Sequence, residues 1–162
     1  LGLAFPKCDI ERKTILLDPA QKQRVALLAK TEFEAGLVYA YEARSDRKLV
    51  GTAYFDAHRV RTLKETLMVV VAPDGRVLRV EVLSFSEPPE YLPRANFYAQ
   101  FKDKPLDDEL ELKRGIRSVA GATLTARATT NAVRRVLAVH AVLTTGSSAL
   151  APATRAVESS RS

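Results

Sequence analysis

The sequence predicts an α+β domain: an antiparallel sheet of about four strands, with an N-terminal helix and a long C-terminal helix packed on it. Three observations predict it. Four strand-like runs rich in Val, Leu and Tyr follow one another between residues 37 and 85, with no helix-length segment between them, so short antiparallel connections are the available topology. The turn signal Pro73-Asp74-Gly75 joins the last two runs. A stripe of apolar residues at helical spacing then fills 124–143.

Taken in order, residues 1–17 form an N-terminal lead-in segment ending in Ile15-Leu16-Leu17. Asp18 is placed to cap a helix and Pro19 to open it, because proline lacks the amide that a first turn leaves unpaired anyway. Val25, Leu28 and Ala29 carry the spacing, so the helix is predicted over 19–34 with Gly36 ending it. The strands are Leu37–Ala43, Leu49–Phe55, Thr66–Ala72 and Val77–Phe85. In the turn, proline presets one dihedral and Gly75 accepts a positive φ. The three prolines within 87–93 argue against regular structure there. A short helix over 94–101 and a charged loop over 102–118, with one turn near 107–112, lead to the C-terminal helix. In that helix Leu124, Ala128, Ala132, Val136, His140 and Leu143 share a face, and Arg127, Arg134 and Arg135 fall away from it. The domain proper is thus 18–143, and the Ser-, Thr- and Ala-rich stretch 144–162 reads as a flexible tail.

Composition narrows the function. With 46% hydrophobic and 27% charged residues, the chain has material for one core and is not a disordered polymer. No apolar run approaches the roughly 20 residues of a membrane span. One cysteine, Cys8, excludes an internal disulfide framework and a cysteine-based zinc site, and His58 and His140 are far apart in sequence, so no metal is expected. Cys8 itself reads as inert. The net charge of +6 permits an anionic partner. Nucleic acid is not the expected one, because the basic residues are scattered and no recognition motif accompanies them.

The feature that carries chemistry is Gly121-Ala122-Thr123-Leu124-Thr125 at the start of the long helix. A helix start presents unpaired N–H groups and the positive end of the dipole, which together suit a phosphate. Gly121 permits close backbone approach, and Thr123 adds a hydroxyl at the same spot. The bland alternative is that Thr123 or Thr125 simply caps the helix.

Ala120-Gly121-Ala122-Thr123-Leu124-Thr125 resembles the Ser-Gly-Ala-Thr-x-Thr motif of the FMN-binding domain family. That domain occurs in subunits of the sodium-pumping NADH:quinone oxidoreductase and of the Rnf complex, and in many extracytoplasmic redox proteins. The resemblance covers roughly 37–143, including the hairpin at Asp74-Gly75 and the loop Glu87-Pro88-Pro89-Glu90, where the family has Glu-Thr-Pro-Gly. It implies FMN as cofactor, joined by a phosphodiester to Thr123, and installed by a flavin transferase of the ApbE type that uses FAD and magnesium. It further implies electron relay between membrane or soluble redox partners, and an extracytoplasmic location with a removed N-terminal segment. Two positions depart from the pattern: Arg117 stands where the family has Asp, and Ala120 where it has Ser or Thr. Noncovalent flavin binding, or a flavin-free structural domain with a decayed motif, are the alternatives.

By the same resemblance, Gly121, Ala122, Leu124, Thr125, Glu87 and Tyr91 are candidate cofactor-binding residues beside Thr123, with Thr125 and the amides near Leu124 meeting phosphate oxygens. Glu87 is expected to hydrogen-bond the ring or close the pocket, and Tyr91 to lie at the ring edge. No catalytic side chain is expected, because the flavin supplies the chemistry. Arg127 is a candidate extra charge. Arg61, within the basic run His58-Arg59-Val60-Arg61, is either a solvated edge residue or a partner for the phosphate or a ring carbonyl. Tyr54 and His140 read as packing residues.

Overall fold

The computed structural model describes residues 5–154, with side chains described to residue 145. The elements in chain order are β1 (Asp9–Leu16), α1 (Pro19–Ala29), β2 (Leu37–Ser45), β3 (Lys48–Arg59), β4 (Lys64–Val71), β5 (Val77–Phe85), a 3-10 turn (Pro89–Tyr91), α2 (Ala95–Ala99) and α3 (Thr123–Thr154). The five strands form one antiparallel sheet in the order of the chain, β1-β2-β3-β4-β5. The α+β class holds, with one strand more than expected.

The additional strand is β1, within the predicted lead-in. Its sequence, Asp9-Ile10-Glu11-Arg12-Lys13-Thr14-Ile15-Leu16, is charged, and almost every residue is exposed. It lies at the sheet edge, where charge discourages pairing with other chains, and Lys13 reaches Glu42 on β2 at 3.2 Å. A strand with no buried face shows no alternation, which is why the pattern misses it.

The hairpin β4–β5 forms as predicted. Ala72 N–H donates to the Arg76 carbonyl at 2.7 Å, the Asp74 carboxylate accepts from the Arg76 amide at 3.0 Å, and Gly75 has φ +92°. Along β4, Leu67, Val69 and Val71 turn toward the helices and join the main core with Val133, Val136 and Leu137 of α3. Met68 and Val70 turn to the opposite face, where Phe5, Ala43 and Ala53 complete a smaller cluster. Cys8 packs half-buried against that second cluster.

Helix α1 starts as predicted, with a reciprocal capping box. Asp18 Oδ1 accepts from the Gln21 amide at 2.7 Å, and Gln21 Oε1 accepts from the Asp18 amide at 2.9 Å. It stops at Ala29 rather than residue 34, because Lys30 turns left-handed at φ +57°; Gly36 therefore does not end it. Arg134, expected on the outer face of α3, is instead buried beneath this helix end. Its guanidinium donates to the carbonyls of Ala29 (2.7 Å), Leu28 (3.4 Å), Asp107 (2.9 Å) and Leu110 (2.8 Å). Unpaired carbonyls of a helix C-terminus attract a cation, and here a distant arginine supplies it.

The proline-rich stretch does contain one regular turn, Pro89–Tyr91, because proline is tolerated where an opening turn needs no donor. The short helix is Ala95–Ala99. Leu110 and Ile116 anchor the charged loop in the core. Helix α3 begins at Thr123 and continues to Thr154, so the expectation of a flexible tail is corrected over 144–154. The remainder of the expected tail, 155–162, lies outside the described residues.

Candidate functional site

The start of α3 is bare. Ala122, the residue before it, offers no side-chain acceptor, so the helix is not capped by a hydroxyl there. The Ala122 amide turns back to the Val119 carbonyl at 3.0 Å, and the Ala126 amide makes the first intrahelical bond, to Ala122, at 2.9 Å. The amides of Thr123, Leu124 and Thr125 thus have no backbone acceptor among the described residues. Gly121, at φ +83°, turns the chain into the helix, and a Cβ placed on it would meet nothing within 4 Å. The approach to the three amides is therefore open.

The two threonines play different parts. Thr125 is fully buried, and its hydroxyl donates to the Tyr91 carbonyl at 2.6 Å, tying the proline loop to the helix. Thr123 is exposed. Its hydroxyl oxygen has one long contact, 3.4 Å from Ser118 Oγ, so it is available for chemistry.

Opposite them stands the β3–β4 connection. Glu87 is 6% exposed, and its Oε2 accepts from the amides of Arg61 (3.1 Å), Thr62 (2.8 Å) and Leu63 (2.9 Å). Those backbone donors hold the carboxyl below the usual range. Glu87 is thereby committed to the loop and does not line the hollow; it fixes the segment that carries Arg61. The Arg61 guanidinium lies over the Tyr91 ring, 4.4 Å from its centroid. Arg61, Tyr91 and residues 121–125 enclose a hollow of about 290 Å³. Five predicted residues from α3 and its approach meet Tyr91 there, together with Arg61. Arg117 is elsewhere, its backbone exchanging hydrogen bonds with the Gln100 side chain at 2.7 and 3.1 Å.

Beside the hollow, a polar chain crosses from sheet to helix. Arg135 donates to both oxygens of Asp56 (3.2 and 3.0 Å), and Asp56 meets His58 Nδ1 at 2.9 Å. His58 Nε2 lies 2.8 Å from Glu65, which is fully buried and also accepts from Tyr98 (3.2 Å) and Thr129 (3.1 Å). Burial pushes the His58 pKa down, but its bonds to Asp56 and Glu65 and their charges prevail and raise it. Burial pushes Asp56 up, and the bonds to His58 and Arg135 pull it net below the ordinary value. His58 is therefore no solvated edge residue. Sequence reasoning missed Asp56, Glu65 and Arg135; the signal was Asp56 and His58 two apart on one strand face.

Tyr54 and His140 are indeed packing residues. The Tyr54 hydroxyl lies 2.9 Å from His140 Nδ1, and both side chains are buried. Burial lowers the His140 pKa, so its neutral form is favoured.

Residues 64–138, which run from β4 through the bare helix start into α3, match the FMN-binding domain family. This segment is an FMN-binding domain. Over 79 residues the chain is 34% identical to a subunit of the proton-translocating ferredoxin:NAD(+) oxidoreductase complex of Clostridium ljungdahlii, covering 44% of this chain and 43% of that protein. The chain thus spans less than half the length of that relative. NqrC of Shewanella oneidensis shares the fold, with a TM-score of 0.58 at 17% identity over 83% of this chain and 84% of that one.

The family's cofactor is FMN, and the residues of this FMN-binding domain fit it. Three open amides and the Arg61 guanidinium supply donors and positive charge for a phosphate, and Thr123 supplies a free hydroxyl in the same hollow.

Proposed function

We infer that this domain is an electron carrier whose FMN is tethered through a phosphodiester to Thr123. The observation that carries the reading is the exposed Thr123 hydroxyl beside unpaired helix amides in a hollow faced by Arg61. Tethering consumes a hydroxyl rather than using one for catalysis, which suits a site where no general base among the described residues touches Thr123. The reaction that installs FMN joins the threonine oxygen to the flavin-side phosphorus of FAD and releases AMP. An external flavin transferase of the ApbE type, with magnesium, is the proposed agent.

Each residue then has a task. The amides of 123–125 and Arg61 hold the phosphate. Gly121 keeps the approach free of a side chain. Tyr91, pinned by Thr125, forms one wall. Glu87 holds the loop that presents Arg61. Once bound, FMN accepts and passes electrons one or two at a time.

The likeness to a component of the clostridial oxidoreductase complex supports redox partners in or at a membrane, and an extracytoplasmic location is part of this reading. Among the described residues, no helix is long and apolar enough to cross a membrane.

Intact mass after co-expression with a flavin transferase, followed by peptide mapping, tests the reading. The expected gain is one FMN less one water, on the peptide holding Thr123. No gain, with no flavin absorbance either, would overturn it; absorbance without a mass gain would replace the tether by noncovalent binding.

A further inference from the structure

The two edges of the sheet differ in character. The β1 edge is charged along most of its length, a common guard against pairing with other chains. The β5 edge alternates valine with charge over Val80-Glu81-Val82, and a groove of about 460 Å³ runs beside it, against α2. The ladder fixes which backbone groups face that groove. The Ala72 amide donates to the Arg76 carbonyl (2.7 Å), and the Ser86 amide to the Lys64 carbonyl (3.0 Å). Even-numbered residues of β4 therefore direct their backbone groups at β5, which makes Met68–Glu81 and Val70–Arg79 the hydrogen-bonded pairs. Val80 and Val82 alternate with these and turn their N–H and C=O groups outward, into the groove. None of the four groups has a protein partner among the described residues, although Val80 is only 8% exposed. Backbone groups at that depth are almost always paired, and a row of alternating donors and acceptors suits another strand.

We propose that the β5–α2 groove binds the C-terminal end of a partner protein as an added antiparallel strand, with its terminal carboxylate at Lys102. The wall opposite β5 is apolar and low, made by Leu92, Pro93, Ala95 and Ala99. Partner residues opposite Val80 and Val82 point to the same side of the sheet as those valines, toward that wall, so the tail reads apolar-polar-apolar. Register shifts on both sides limit the regular stretch to residues 79–82, so the added strand is short. Its direction follows from the end of the groove. The Val77 amide donates to the Lys104 carbonyl (3.0 Å), and the Asp103 amide to the Val77 carbonyl (2.7 Å), so the chain itself occupies the edge there. An antiparallel strand brings its C-terminus to that closed end. Lys102 stands there, exposed and with no ion-pair partner among the described residues. Arg79 and Glu81, the other charges of the groove, are paired with each other at 2.8 Å.

The groove shares no residue with the hollow at 121–125. A partner held by its tail leaves the Thr123 hollow open, and the proposal stands whether or not Thr123 carries a tether.

The test uses the full chain and the peptide Ser-Thr-Val-Thr-Val, labelled with fluorescein at its N-terminus and free at its carboxylate. Fluorescence polarisation reads affinity, and hydrogen exchange resolved by residue reads the place. The peptide is expected to slow exchange at the amides of Val80 and Val82. N-methylation of its middle valine, which removes a donor facing β5, is expected to abolish binding. The same peptide ending in an amide is expected to bind about fivefold more weakly. Lys102→Gln is expected to bring the acid down to the level of the amide. Ala99→Trp, at an exposed position of α2, is expected to fill the groove and block binding while the thermal melt stays that of the parent. No slowing at Val80 and Val82 with millimolar peptide would overturn the proposal. So would equal binding of the N-methylated peptide, or equal binding of acid and amide.

Discussion

Thr123 and Arg134 illustrate how differently two polar residues of one helix are used. Thr123 contributes almost nothing to stability, since its hydroxyl has one long contact and its side chain is exposed. Thr123→Ala is therefore expected to lose covalent flavin completely, by intact mass, while its thermal melt stays within about 0.5 kcal/mol of the parent. Arg134 has no part in the hollow and holds four carbonyls from two segments, the end of α1 and the charged loop. Arg134→Ala strands those acceptors and opens a buried gap, and is expected to cost about 3 kcal/mol in urea unfolding. The His58 array gives a pH signature. Because its folded pKa is raised, the stabilisation from His58 is full below its unfolded value, about 6.5, and is lost as pH rises through the folded value. The Asp56 contribution runs the other way, present above about pH 4 and lost as pH falls through its depressed value. The urea midpoint is thus expected to fall as pH rises above about 6.5, and His58→Gln, which keeps a donor but does not titrate there, is expected to flatten that fall.

The elements differ in how plainly their sequences announce them. The β4–β5 hairpin was legible because apolar alternation and turn chemistry agree, and Gly75 at φ +92° is where they meet. Gly75→Ala is expected to cost about 1–2 kcal/mol in thermal unfolding, the strain of a left-handed L-residue. Strand β1 was illegible because its pairing is mainly through the backbone and only Ile15 packs against the core, so no apolar alternation marks it. The early end of α1, at the left-handed Lys30, is capped by Arg134 from 105 residues away, a contact no local pattern reports. At the site, helix-start physics pointed to residues 121–125 and the resemblance added Tyr91; the structure brings them round one hollow. Glu87 was found by position, but its task differs: it faces the amides of 61–63 and not the hollow. Arg61 owes its place to that clamp, so its role follows only once the loop is seen closed.

At the scale of the molecule, the sheet is covered on both sides by unequal means. The helices cover one face with a large core, while the other depends on Phe5, 5% exposed, over Ala43, Ala53, Met68 and Val70. Phe5→Ala is expected to remove about 3 kcal/mol in urea unfolding, with the flavin content of loaded protein unchanged, because α3 and the β3–β4 connection meet the opposite face. The site itself is assembled from three separate parts of the chain: the β3–β4 connection, the proline turn and the approach to α3. The amides of 61–63 form an anion nest, and the domain fills it with its own carboxylate, Glu87. That internal guest makes the incoming phosphate a late arrival at a finished frame. The loop has already surrendered its conformational entropy during folding, so association meets little further ordering penalty. Hydrogen exchange at the amides of 61–63 should accordingly be as slow before flavin loading as after it, while the amides of 123–125 should slow only when the phosphate arrives.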